Sequence, residues 1–222
     1  MKKITLFTAL LCISILSHAQ LYPSKLGLMG SVVFHLGEKR LQAELNMTEA
    51  QADSVREILS NHGKEQARLS AKIQTAKSDQ YAGIQAEMEK LESATAAKLS
   101  DALNVDQRAR AQQLALQDVG PFALRNASVA AKVGLTPDQR TKVEVIAQAT
   151  IKALDEMNAK MGAELEAAGT GKAGNAKRTK IVNSYDANGK IVEHKGEVQV
   201  LAILSAQQRA KWSAALGKPF RL

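Results

Sequence analysis

The residues able to do chemistry are few and scattered along the chain. His35, His62 and His194 are far apart, and no HExxH, GxSxG or CxxC spacing ties them to a second group. The single cysteine, Cys12, excludes a disulfide framework and any zinc site that needs paired thiolates. Met157 and Met161 lie one helical turn apart and offer two soft sulfurs, but no His or Cys stands near them. Core packing is the better account of both. Gly169-Thr170-Gly171-Lys172-Ala173-Gly174 fits GxGxxG, a pattern whose glycines let a backbone cradle a pyrophosphate. It follows a helical pattern instead of a strand, and no βαβ unit surrounds it. Glu164, Glu166 and the other helical carboxylates read as solvated faces, and His62 falls on the apolar stripe of its helix as a core or rim histidine. We therefore expect no catalytic residue, no cofactor and no metal ligand, and we do not read the chain as an enzyme.

The informative pattern is architectural. Thr48-Glu49-Ala50-Gln51 recurs as Asn104-Val105-Asp106-Gln107, Thr136-Pro137-Asp138-Gln139 and Ser205-Ala206-Gln207-Gln208, each preceded by an apolar residue: Met47, Leu103, Leu135 and Leu204. This is a capping box. The Thr, Asn or Ser oxygen accepts from an orphan N–H of the first helical turn, and the glutamine three residues on reaches back to the N–H of the cap. Pro137 suits the first helical position, and Glu49, Asp106 and Asp138 favour the positive end of the helix dipole. The boxes form two pairs. At an offset of 88, Leu36, Thr48, Gln51, Val55 and Ile58 match Leu124, Thr136, Gln139, Val143 and Ile146. At an offset of 101, the run from Leu103 to Arg110 matches the run from Leu204 to Lys211.

The order helix, capped long helix, helix, capped short helix thus occurs twice, with Gly120-Pro121 as the stop between the two units. We place the units at 26–119 and 120–222. Composition agrees: 36 alanines and 16 glutamines beside 4% aromatic residues are the make-up of helices and not of a β-sandwich. In the second long helix Val143, Ile146, Thr150, Leu154, Met157, Met161 and Leu165 recur at spacings of three and four, over roughly 48 Å at 1.5 Å per residue. The fold class read from this is all-α, with long helical hairpins in two tandem units, extended and not compact. Gly63 is a candidate bend in the first long helix. Gly169 to Asn175 reads as a flexible segment, part of a basic linker near 169–180. From Ile181 to His194 the local pattern is that of a β-hairpin around Asn188-Gly189, whereas the repeat aligns it with helix; the repeat carries beyond about residue 190, and the rest is open.

Residues 1–19 read as an export signal: Lys2 and Lys3, an uncharged apolar stretch from Leu6 to Leu16, then Ser17-His18-Ala19 before a cleavage at Gln20. The apolar run is too short to span a bilayer, and no later segment is suited to stable membrane insertion. The chain carries a net charge of +8, and six Lys or Arg between Lys172 and Lys195, against Asp186 and Glu193, contribute +4 of it. With no aromatic interleaving and no groove-reading motif, this is a basic solvated stretch and not a nucleic-acid surface.

An export signal followed by such caps on long helices resembles the Spy/CpxP family of periplasmic proteins. Asn46-Met47-Thr48-Glu49-Ala50-Gln51 with Val55 to Leu59 is similar to the family's first LTxxQ motif, and Leu204 to Trp212 to its second. Met47 stands in place of the leucine, and Asn104 and Ser205 in place of the threonine. The resemblance implies an all-α protein of the periplasm, working as an ATP-independent chaperone or an envelope-stress binding protein. Its partners would be unfolded or partly folded exported proteins, or an envelope sensor. It also implies a pseudo-dimeric monomer, the tandem units replacing the family's dimer, or a homodimer. Lys177, Arg178 and Lys180 are the candidates for client capture. A metal-resistance or metal-sensing accessory and a purely structural, partner-binding helical protein are the other readings.

Overall fold

The computed structural model describes residues 28–169 and 171–220. The export signal expected over 1–19 lies outside the described residues, as do positions 26 and 27 of the first expected unit. The fold is all-α, and no strand occurs among the described residues. The chain divides into two compact units, one formed by residues 28–119 with 215–220 and the other by 120–214. The break after Val119 falls at Gly120-Pro121. The end of the second unit does not coincide with the expected one: residues 215–220 pack into the first unit, because side chains of that unit hold their backbone.

In the first unit two short helices, α1 (Gly30–Val33) and α2 (Lys39–Glu44), lead to the long helices α3 (Glu49–Thr75) and α4 (Tyr81–Asp101), and then α5 (Val105–Val119). Helix α3 runs unbroken through Gly63. Val32, Val33, Leu36, Leu41, Val55, Leu99, Leu103 and Leu114 form one buried cluster contributed by all five helices and their connections. This is why α1 and α2, too short to persist alone, are fixed. The second unit repeats the order. A 3-10 segment (Gly120–Arg125) and α6 (Ala127–Val133) precede the long pair α7 (Pro137–Ala167) and α8 (Gly171–Ile203), with α9 (Ala206–Leu216) closing it. Phe122, Leu124, Val133, Val143, Ala147, Leu154, Val200, Leu204 and Trp212 are its buried centre. Met161 is buried on the same stripe and Met157 lies at its edge, as packing residues.

One expectation is overturned in α8, and one reading that the sequence left open is resolved. The segment 169–180 is not a flexible linker, since helix begins at Gly171. Gly169 (φ +74°) and Gly171 (φ +84°) make the reversal between α7 and α8, and a Cβ on Gly174 would lie 2.7 Å from the Gly169 carbonyl oxygen. The three glycines of the GxGxxG pattern therefore serve a tight helix-to-helix turn. Nor is any of Ile181 to His194 a hairpin: the helix is continuous to Ile203. Tyr185, Gly189, Val192, Gly196 and Val200 are the more buried positions, at spacings of four, three, four and four. Gly189, which looks like a turn residue locally, is a buried position of this helix.

Candidate functional site

All four boxes form as capping geometry requires. Gln51 N–H donates to Thr48 Oγ1 (3.2 Å), and Thr48 N–H donates to Gln51 Oε1 (3.0 Å). Asn104 and Gln107 exchange the same two bonds at 2.9 Å each. Thr136 with Gln139 and Ser205 with Gln208 repeat them at 2.9–3.2 Å. What the boxes do beyond capping was not legible from their sequence. Gln51 Nε2 donates to Gln107 Oε1 at 2.7 Å, and Gln107 Nε2 donates back to Gln51 Oε1 at 3.0 Å. Gln139 and Gln208 make the same reciprocal pair, 2.8 Å in each direction.

The second N–H of each amide goes to the carbonyl two residues before the opposite cap. Gln51 reaches Ala102 O (2.9 Å), Gln107 reaches Asn46 O (3.3 Å), Gln139 reaches Ile203 O (3.0 Å) and Gln208 reaches Gly134 O (2.7 Å). Each side-chain amide thereby uses two donors and two acceptor sites, its full complement. Glutamate would cap equally well but has no hydrogen to give. The one sequence signal for this was that all four boxes carry Gln where Glu would serve. The Gln clasp thus joins the start of the long capped helix to the start of the short one in each unit.

A second layer matches through the same offsets. Phe34, His62 and Thr95 of the first unit correspond to Phe122, Thr150 and Gly196 of the second. The rings of Phe34 and His62 are 5.2 Å apart between centroids, and His62 Nδ1 lies 3.1 Å from the buried Thr95 Oγ1. His62 is thus a rim histidine in a packing layer. A Cβ on Gly196 would lie 2.5 Å from Thr150 Oγ1 and 2.7 Å from Phe122 Cζ, so glycine there lets α8 close on the 3-10 segment and α7. His35 and His194 each have a carboxylate neighbour three residues on: His35 with Glu38 at 2.7 Å in the turn between α1 and α2, His194 with Glu197 at 3.6 Å within α8.

The three candidate capture residues are not equivalent. Lys177 and Lys180 project into solvent. Arg178 does not: its Nη1 donates to Leu165 O at 2.9 Å, an otherwise orphan carbonyl in the last turn of α7. As a client contact Arg178 is therefore compromised, and its evident work is to tie the first turns of α8 to the end of α7. Farther along α8, Ile191 is 66% exposed and Val198 is 52% exposed. They are seven residues apart on one helical face, with exposed His194 and Lys195 between them. Tyr185 donates its hydroxyl to Glu164 Oε1 at 2.7 Å, which raises the phenol above its usual range. Lys190 is held charged by the bond to Asp186 at 2.8 Å. No group of three or more His, Cys, Asp or Glu is placed to hold a metal ion among the described residues. No described helix is long and apolar enough to cross a membrane. In comparison with known proteins, no family model, no curated protein and no solved structure matched the chain.

Proposed function

We propose that this chain is an exported, ATP-independent holding protein of the periplasm that binds unfolded or partly folded polypeptides, in the manner implied by its resemblance to the Spy/CpxP family. The observation that carries a binding role is the outer face of α8. Ile191 and Val198 stay in water on a helix whose opposite face has seams to fill, and Lys177, Lys180 and Lys195 are exposed on the same helix. Lysines draw in an acidic, unfolded chain, and dispersed apolar side chains hold it weakly. The tandem units replace the family's dimer in this reading, so light scattering on a sizing column should give the mass of one chain; twice that mass would contradict it.

The test is the aggregation of a thermally unfolding client, followed by light scattering with the mature chain added. Dose-dependent suppression that weakens at high salt, and falls in an Ile191→Ser/Val198→Ser variant, is the expected result. Absence of suppression at several-fold excess would overturn the reading, and titration with zinc, copper or nickel would then test the metal-accessory alternative.

A further inference from the structure

Residues 216–220 are held in a way that points to a second binding site. After α9 the chain turns at Gly217 (φ +64°) and runs along α5. The α5 side chain Gln117 grips three main-chain groups of this tail: Nε2 donates to Leu216 O (2.6 Å) and Lys218 O (2.8 Å), and Oε1 accepts from Phe220 N–H (2.8 Å). Arg110 Nη2 adds a bond to Lys218 O at 2.7 Å. Arg110 is itself braced by Glu44 (2.6 Å) and Gln113 (2.8 Å), so its donors are oriented before any segment arrives. These bonds read backbone and not side chains.

Two tail positions carry most of the specificity, Gly217 and Phe220. Gly217 holds φ +64°, which side chains rarely adopt, and a Cβ there would displace the Gln113 amide, so glycine is favoured at this position. Phe220 packs against the hydrophobic cluster of the unit, with the Arg40 guanidinium 5.6 Å from its ring centroid. Pro219 fixes its own φ and biases Lys218 towards extended backbone, so the segment arrives extended. The repeat supports a dedicated role. Helix α5 continues to Val119, whereas α9, its counterpart at an offset of 101, stops at Leu216 and releases the chain to this face.

We propose that the Arg110–Gln113–Gln117 face of α5 is a peptide-binding groove for an extended segment with a glycine followed, three residues on, by an aromatic residue, and that the chain's own tail is its resident ligand. It stands apart from the α8 face and does not depend on it. Tethering gives the tail an effective concentration in the millimolar range, so an outside segment competes only weakly until the tail is released.

The test uses the full chain and a labelled, end-blocked peptide of residues 216–220, read by fluorescence anisotropy. Two variants release the tail by different routes, Gly217→Val and Phe220→Ala. Each should bind the peptide at least about tenfold more tightly than the unaltered chain. Adding Gln117→Ala to either should abolish that binding, as should a peptide with alanine in place of Phe220. The proposal is overturned if neither variant, its helical circular dichroism intact, binds peptide up to about 1 mM. Binding that survives Gln117→Ala overturns it equally.

Discussion

Each clasp glutamine serves two elements at once, and its replacement should cost more than a lost cap. Gln107 is 5% exposed and bonds to Gln51, Asn46 and Asn104. Truncation leaves the opposite amide and the Asn46 carbonyl without this partner, so Gln107→Ala should lose about 2 kcal/mol in urea unfolding. Gln107→Glu should do no better, although glutamate is an accepted capping residue, because the carboxylate cannot donate. A Gln51/Gln107 double-mutant cycle should show coupling above about 1 kcal/mol, the signature of one shared network; additive losses would count against the clasp. Glycines separate in the same way. Gly196→Ala should destabilise by about 1–3 kcal/mol, because its Cβ has no room beside Thr150 and Phe122. Gly162 is helical with open space around it, and Gly162→Ala should stabilise by about 0.5–1 kcal/mol.

At the scale of elements, Arg178 and the Arg125–Glu144 pair tie helices together. Arg178→Ala should lose about 1 kcal/mol and raise hydrogen exchange at the end of α7, whereas Lys180→Ala should leave both unchanged. The Arg125 hydrogen bond, then that of Gln148, holds the Glu144 carboxyl below its ordinary range. A depressed carboxyl contributes stability above the ordinary glutamate value, and the contribution is lost as pH falls through the lower one. Glu144 is about half exposed, so the amount should stay below about 1 kcal/mol after solvent screening. A pH series of melting temperatures should show the acid-side decline shallower in Glu144→Gln; parallel curves would deny the tie a role. Which elements form was largely legible in the sequence, because capping boxes and three-four periodicity are local. Lys172 to Gly189 was not, because Asn188-Gly189 carries a local turn signal, whereas Gly189 is a buried position of a continuous helix. The clasp was half legible: sequence named its eight residues, but contacts across 51 to 74 positions depend on how the chain folds back. Arg178 was visible as a charge and not as a carbonyl's partner, since a basic side chain reads alike in both roles.

For the whole molecule, the two units share one plan with different fillings. The layer that holds Phe34, His62 and Thr95 in the first becomes Phe122, Thr150 and Gly196 in the second. A shared clasp with altered packing around it is what a duplicated helical unit would retain, since the clasp fixes helix starts while the layer sets only how closely the long helices approach. The client-holding proposal belongs to this scale, because exposed apolar side chains on α8 remain available only while the clasp and seams keep the rest of that helix engaged. Its most direct test is the titration of the mature chain against a permanently unfolded, labelled polypeptide, followed by anisotropy at low and high salt. The account predicts saturable binding that weakens with salt and is lost in Ile191→Ser/Val198→Ser. Binding that is absent at low salt, or untouched by those substitutions, would contradict it.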